Sequence, residues 1–149
     1  MNSVFKHVLV ATDGSPMADR AIALALRVGG GAKVTALLVV RDYGLPEYLR
    51  AALAHRPDAQ ALRKEIVAEG HRLLDAAIER AVGGDARIQR RVVLGEQSPS
   101  REIVALAERE GCDLIVIASH GLGGRMAGLL GSQSQGVLTL ATLPVLVVR

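Results

Sequence analysis

Aromatic residues are nearly missing: there is no tryptophan, and only two tyrosines and one phenylalanine occur in 149 positions. A core must then be built from Val, Leu, Ile and Ala. That composition suits strands buried on both faces and covered by helices. Bases would find almost nothing to stack on, and Lys and Arg form no block beyond the pairs Arg63-Lys64 and Arg90-Arg91. The net charge of +3 therefore does not describe a nucleic-acid surface. A single cysteine, Cys112, excludes an intrachain disulfide and any multi-cysteine metal site. Its place just before an apolar strand marks it as a small packed thiol. No apolar run reaches the roughly 18 residues that cross a bilayer, and the start, MNSVFKH, lacks a signal-peptide core. The expectation is a soluble, cytoplasmic protein with neither nucleic acid nor membrane as partner. Its length suits one domain, 1–149.

What is present is an alternation of short apolar runs and amphipathic stretches. Val8 to Ala11 reads as a buried strand, and Val34 to Val40, interrupted by Thr35, as a second. Ser15-Pro16 and Ser98-Pro99 each predict a helix start: a hydroxyl cap, then a residue whose missing N–H costs nothing. Ala18, Ala21, Ile22, Ala25 and Leu26 form one face of the first helix, which Gly29 to Gly31 end. Arg41 to Asp58 is irregular, with a short helix expected over Tyr48 to Ala54. A long helix is predicted from Ala59 to Val82, with Leu62, Ile66, Leu73, Ala77 and Ala81 as its stripe and Gly70 as an unfavourable interior residue. Arg87 to Leu94 is polar enough to be an edge strand. Ile103, Leu106 and Ala107 mark the next helix, and Leu114 to Ala118 the next strand. Val137, Leu138 and Ala141 belong to a last helix, and Pro144 introduces a final strand, Val145 to Val148. The order β-α-β-α-β-α-β-α-β predicts an α/β fold around a parallel sheet.

Open sheets of this kind take ligands beyond the carboxyl ends of their strands, where the strand order reverses. Two features fall there. Asp13 follows the first strand directly. The stretch Ile115 to Gln135 runs from a strand into a loop holding Gly121, Gly123, Gly124, Gly128 and Gly131, and then into a helix start at Gly131-Ser132. Backbone N–H groups and the helix dipole at such a place cradle a polyanion, here the phosphates of a nucleotide. Plainer roles stand beside these: Asp13 bracing the Gly14 turn, glycines serving tight turns, Ser132 acting as a helix cap. His120 reads as a loop anchor, since no nucleophile paired with an acid is identifiable. His7, His55 and His71 show no metal-ligand spacing.

Three motifs together carry a resemblance. Val8 to Ser15 reads VLVATDGS. Ala118-Ser119-His120-Gly121 is followed, after Leu122 to Leu130, by Gly131-Ser132. Leu143 to Val148 reads LPVLVV. In this order the chain resembles the universal stress protein family from end to end. The resemblance implies a Rossmann-like fold of the adenine nucleotide alpha hydrolase type. Its single open five-stranded parallel sheet would have strand order 3-2-1-4-5, with helices on both faces. It also implies a homodimer joined through the final strand, 145–148, and a regulatory protein that binds ATP, or AMP or ADP, between strands 1 and 4.

Carried over position by position, Asp13 would contact the adenosine, with Ala11 and Thr12 beside it. Val39 matches the valine lining the adenine pocket. Ala118, Gly121, Gly131, Ser132 and Gln133 map around ribose and phosphates. Ala118 replaces the first signature glycine and adds a methyl where the backbone approaches the ligand. Leu122 stands where many relatives carry a basic residue. Arg125 is then the nearest cation for phosphate, with a solvated loop charge as the alternative. A triphosphate would bring Mg²⁺ or Mn²⁺. Hydrolysis is expected to be slow or absent, because no Walker lysine and no evident water-activating base is present. Ala11 to Ser15 lacks the Ser-Gly-Gly-x-Asp-Ser loop of a pyrophosphatase-type enzyme. His120-Gly121-Leu122 does not supply the His-x-Gly-His of adenylyl transfer. The alternative to a nucleotide-binding regulator is a ligand-free homodimeric scaffold.

Overall fold

The computed structural model describes residues 3–41, 55, 58–85, 87–121 and 130–149. The helix expected over Tyr48 to Ala54 lies outside them, as do Leu122, Gly123, Gly124, Arg125 and Gly128 of the glycine-rich loop. The described elements are β1 (His7–Thr12), α1 (Pro16–Gly29), β2 (Lys33–Arg41), α2 (Ala59–Val82), β3 (Ile88–Gly95), α3 (Pro99–Arg109), β4 (Leu114–Ala118), α4 (Ser132–Leu140) and β5 (Val145–Val148). They build one five-stranded sheet of order β3-β2-β1-β4-β5, and each neighbouring pair is parallel. β3 is an edge strand, as its polarity predicts. From β1 the chain moves outward to β2 and β3. It then returns to lay β4 on the other side of β1. The reversal between β1 and β4 opens a crevice at their carboxyl ends.

Strand alternation sorts the core into two layers. Val8, Val10, Val34, Ala36, Leu114 and Val116 pack against α1 and α2. Leu9, Ala11, Leu37, Ile115 and Ile117 pack against α3 and α4. Both Ser-Pro helix starts take the expected form: Ser15 Oγ accepts the Ala18 N–H at 3.2 Å and Ser98 Oγ accepts that of Arg101 at 3.4 Å. Arg90 and Arg91, neighbours on the edge strand, point to opposite faces and pair with Asp75 of α2 at 2.5 Å and Glu110 after α3 at 2.8 Å.

One packing expectation is corrected. The buried face of α2 is Gly70, Leu74, Ala77 and Ile78, while Leu73 is 53% exposed. Gly70 is not a tolerated weakness there. It is the point where the helix meets the sheet, since a β-carbon on it would lie 2.6 Å from Val92 Cγ1 and 3.2 Å from Val40 Cγ2. That contact turns the helix so that Leu74, four residues on, faces inward instead of Leu73. α4 holds Val137, which is buried, and Leu138, which is 43% exposed, and it ends at Leu140, so that Ala141 is its C-cap and not a helical residue.

At the amino ends of the strands a buried polar network joins β1, β2 and the turn before β4. His7 Nδ1 lies 3.3 Å from the Glu110 carbonyl, which can only accept, so Nδ1 carries the proton. Nε2 then accepts the hydroxyl of Thr35 at 2.8 Å. This explains the lone threonine in an otherwise apolar strand. Burial, reinforced by Lys33, holds the imidazole below its ordinary pKa. The Asp113 carboxylate accepts the backbone N–H groups of Lys6 and His7, which keeps it ionised below the usual carboxylate range. Cys112 is buried and its thiol is pushed up to about 11, first by burial and then by Glu110, as befits a packed thiol. Among the described residues, no helix is long and apolar enough to cross a membrane.

Candidate functional site

The turn after β1 is held from several sides. Thr12 Oγ1 accepts the Gly14 N–H at 3.1 Å, and Asp13 Oδ1 accepts that of Ser15 at 3.0 Å. Gly14 has φ +82°, a conformation that glycine adopts without strain. Arg80, from α2, reaches across to donate to the Gly14 carbonyl at 3.1 Å while forking onto Asp19. One oxygen of Asp13 thus braces the turn, the plainer of the two roles read from sequence. The residue also faces the crevice. A β-carbon on Gly121 would collide with Asp13 Oδ2, so the loop after β4 passes close to this carboxylate, which a larger residue would displace.

On the far side, α4 is stapled to the end of β4. The Gly131 N–H donates to the Ser119 carbonyl at 2.6 Å, and Ser134 Oγ lies 2.6 Å from the Ala118 carbonyl and 3.1 Å from that of Ser119. Gly131 is glycine for space: its φ is an ordinary −67°, and a β-carbon would sit 3.0 Å from the Ser119 carbonyl oxygen. It occupies the N-cap itself. Ser132 is therefore the first helical residue and not the cap, so the helix starts one residue earlier than the Ser-cap reading requires. With no side chain at the cap, no side-chain oxygen of that residue accepts the first-turn N–H groups of α4. Ala118 packs in the layer under α1 and α2 and also belongs to the wall of the crevice.

Between these walls lies a cleft of about 640 Å³. Ala11, Thr12 and Asp13 line it from β1, and Val39 from β2. Ala118 and Gly121 line it from the end of β4, and Gly131, Ser132 and Gln133 from the start of α4. The candidates read from sequence thus converge on one cavity, except Arg125, which lies outside the described residues. Several lining residues were not among the sequence candidates, Arg41, His120 and Pro99 among them. Arg41 ends β2, two residues beyond Val39; the same end-of-strand argument could have found it. His120 lines the cleft with Nδ1 3.0 Å from Ser119 Oγ, an anchoring contact between neighbours in sequence. Pro99, at the start of α3, forms part of the wall, and only the packing of α3 beside α4 brings it there.

A sequence model of the universal stress protein family matches residues 5–149. The chain belongs to the universal stress protein family. Universal stress protein YxiE of Bacillus subtilis is 31% identical over 150 residues, covering 98% of this chain and 100% of that one. The solved structure of MJ0577, a universal stress protein of Methanocaldococcus jannaschii, superposes with a TM-score of 0.75 at 26% identity over 96% of this chain and 94% of that one. A universal stress protein crystallised in complex with cAMP has a TM-score of 0.59 at 26% identity, with 97% of each chain covered. The sheet order is thus that of the family's fold, and the cleft lies at its strand-order reversal.

Proposed function

We propose that this universal stress protein is a regulator that binds ATP, or a related adenine nucleotide, in the cleft between β1 and β4. The observation that carries the reading is the convergence in one cleft of the Asp13 turn, the glycine-flanked end of β4 and the uncapped start of α4. A cavity of about 640 Å³ falls in the range of small-molecule sites. The apolar lining residues Leu37 and Val39 suit a purine. The start of α4 suits phosphates, since its first N–H groups and dipole favour negative charge. The structural neighbour solved with cAMP supports an adenine ligand. Asp13 is the one carboxylate lining the cleft among the described residues. A Mg²⁺ or Mn²⁺ accompanying a triphosphate would therefore be held chiefly by the phosphates. We assign no bond-breaking step to the site.

A second reading, a homodimer acting through protein contacts, is favoured by the β5 edge. Val145, Leu146 and Val147 are only half-buried there, and Leu138 and Leu140 of the preceding helix are exposed. Calorimetric titration with ATP and magnesium separates the two. Saturable binding that Asp13→Ala and Gly131→Val weaken is expected. No affinity up to millimolar ATP would leave the scaffold reading in its place.

A further inference from the structure

We propose that the side-chain amide of Gln133 is a donor that makes the cleft prefer phosphorylated adenine ligands to the bare nucleoside. The proposal rests on the nucleotide reading and adds a specificity residue to it. The backbone N–H of Ser100, in the first turn of α3, lies 2.9 Å from the Gln133 side chain. That N–H can only donate, so the amide oxygen must face it, and the orientation of the amide is settled by chemistry. The amide nitrogen has no hydrogen-bond partner among the described residues. Gln133 lines the cleft one residue from Ser132 and two from Gly131. The half of the amide left for a ligand therefore offers protons only. The Ser100 N–H, drawing on the amide oxygen, makes those protons better donors. Ligand atoms that only accept, such as phosphate oxygens, are what such a group selects.

The structural part of Gln133 and its proposed part are separated by Gln133→Glu. A carboxylate still accepts the Ser100 N–H, so the junction of α3 and α4 is kept, and a negative charge near two helix starts is tolerated or favoured. The same change replaces donors by an anion facing the cleft. Unliganded Gln133→Glu should melt at or above the wild-type temperature. Its ATP affinity should fall by roughly tenfold or more, as expected for the loss of one charge-assisted hydrogen bond and the gain of a like charge. Adenosine should bind within about twofold of wild type, having no phosphate to lose the contact. Calorimetry with ATP and with adenosine, in the same magnesium buffer, reads these values. ATP affinity unchanged by Gln133→Glu, or ATP and adenosine weakened alike, overturns the proposal while leaving the nucleotide reading standing. Wild-type protein that binds neither compound overturns both.

Discussion

Replacing Gly70 with alanine sets two opposed effects against each other. In a helix interior alanine is favoured over glycine by about 1 kcal/mol. Here the added β-carbon would stand 2.6 Å from Val92 Cγ1 and 3.2 Å from Val40 Cγ2. Val92 has a single, stiff side-chain torsion, and its other methyl is already 3.6 Å away. Relief therefore requires α2 to lift from β2 and β3, and overpacking of this kind costs about 1–3 kcal/mol. The steric effect wins by about 1 kcal/mol at mid-range. For a chain of 149 residues this is a fall in Tm of about 2–4 °C. Combining Gly70→Ala with Val92→Ala removes the opposing methyls. The double variant should be more stable than the sum of the single effects by roughly 1 kcal/mol. Thermal and urea unfolding of the four proteins give the cycle. A Gly70→Ala protein that melts at or above the wild type, or a strictly additive cycle, would refute the close helix–sheet contact.

The buried His7 makes stability depend on pH. Its imidazole is held below the ordinary value, by burial first and Lys33 second, so the unfolded chain takes up a proton before the folded one does. Unfolding free energy should decline as pH drops through about 6.5 toward the lower folded-state pKa, then level off. His7→Gln should remove that part of the slope in urea titrations, and an unchanged slope would contradict the assignment. Arg80→Ala frees the Gly14 carbonyl and should weaken ATP binding a few-fold with little change in far-ultraviolet circular dichroism. Because Arg80 acts through the turn that carries Asp13, its effect should shrink in an Asp13→Ala background; full additivity in calorimetry would show that it does not. Val147→Pro removes a backbone N–H from the β5 edge and should shift a dimer to monomer in sedimentation. A wild type that sediments as a monomer at high concentration would dismiss that interface.

Much of this molecule could be read from local pattern. Continuous apolar runs marked buried parallel strands, because both faces of such strands must be covered. Ser-Pro pairs marked helix starts, and the arginines of β3 marked an edge, since charge is tolerated where one side faces water. Asp13 and the Gly131-Ser132 pair were legible because each directly follows or precedes an element whose end must open on the crevice. Tertiary structure alone decided what depends on which surfaces meet. Adjacent Leu73 and Leu74 are equivalent to a periodicity argument, and the seat of Gly70 on Val92 chose between them. Ala118 is placed by the sheet in both the core layer under α1 and α2 and the wall of the cleft, which its position in the motif does not reveal. The Arg80–Gly14 and Ser100–Gln133 contacts join residues 66 and 33 positions apart. No sequence spacing encodes them, because they exist only once α2 lies beside α1 and α4 beside α3.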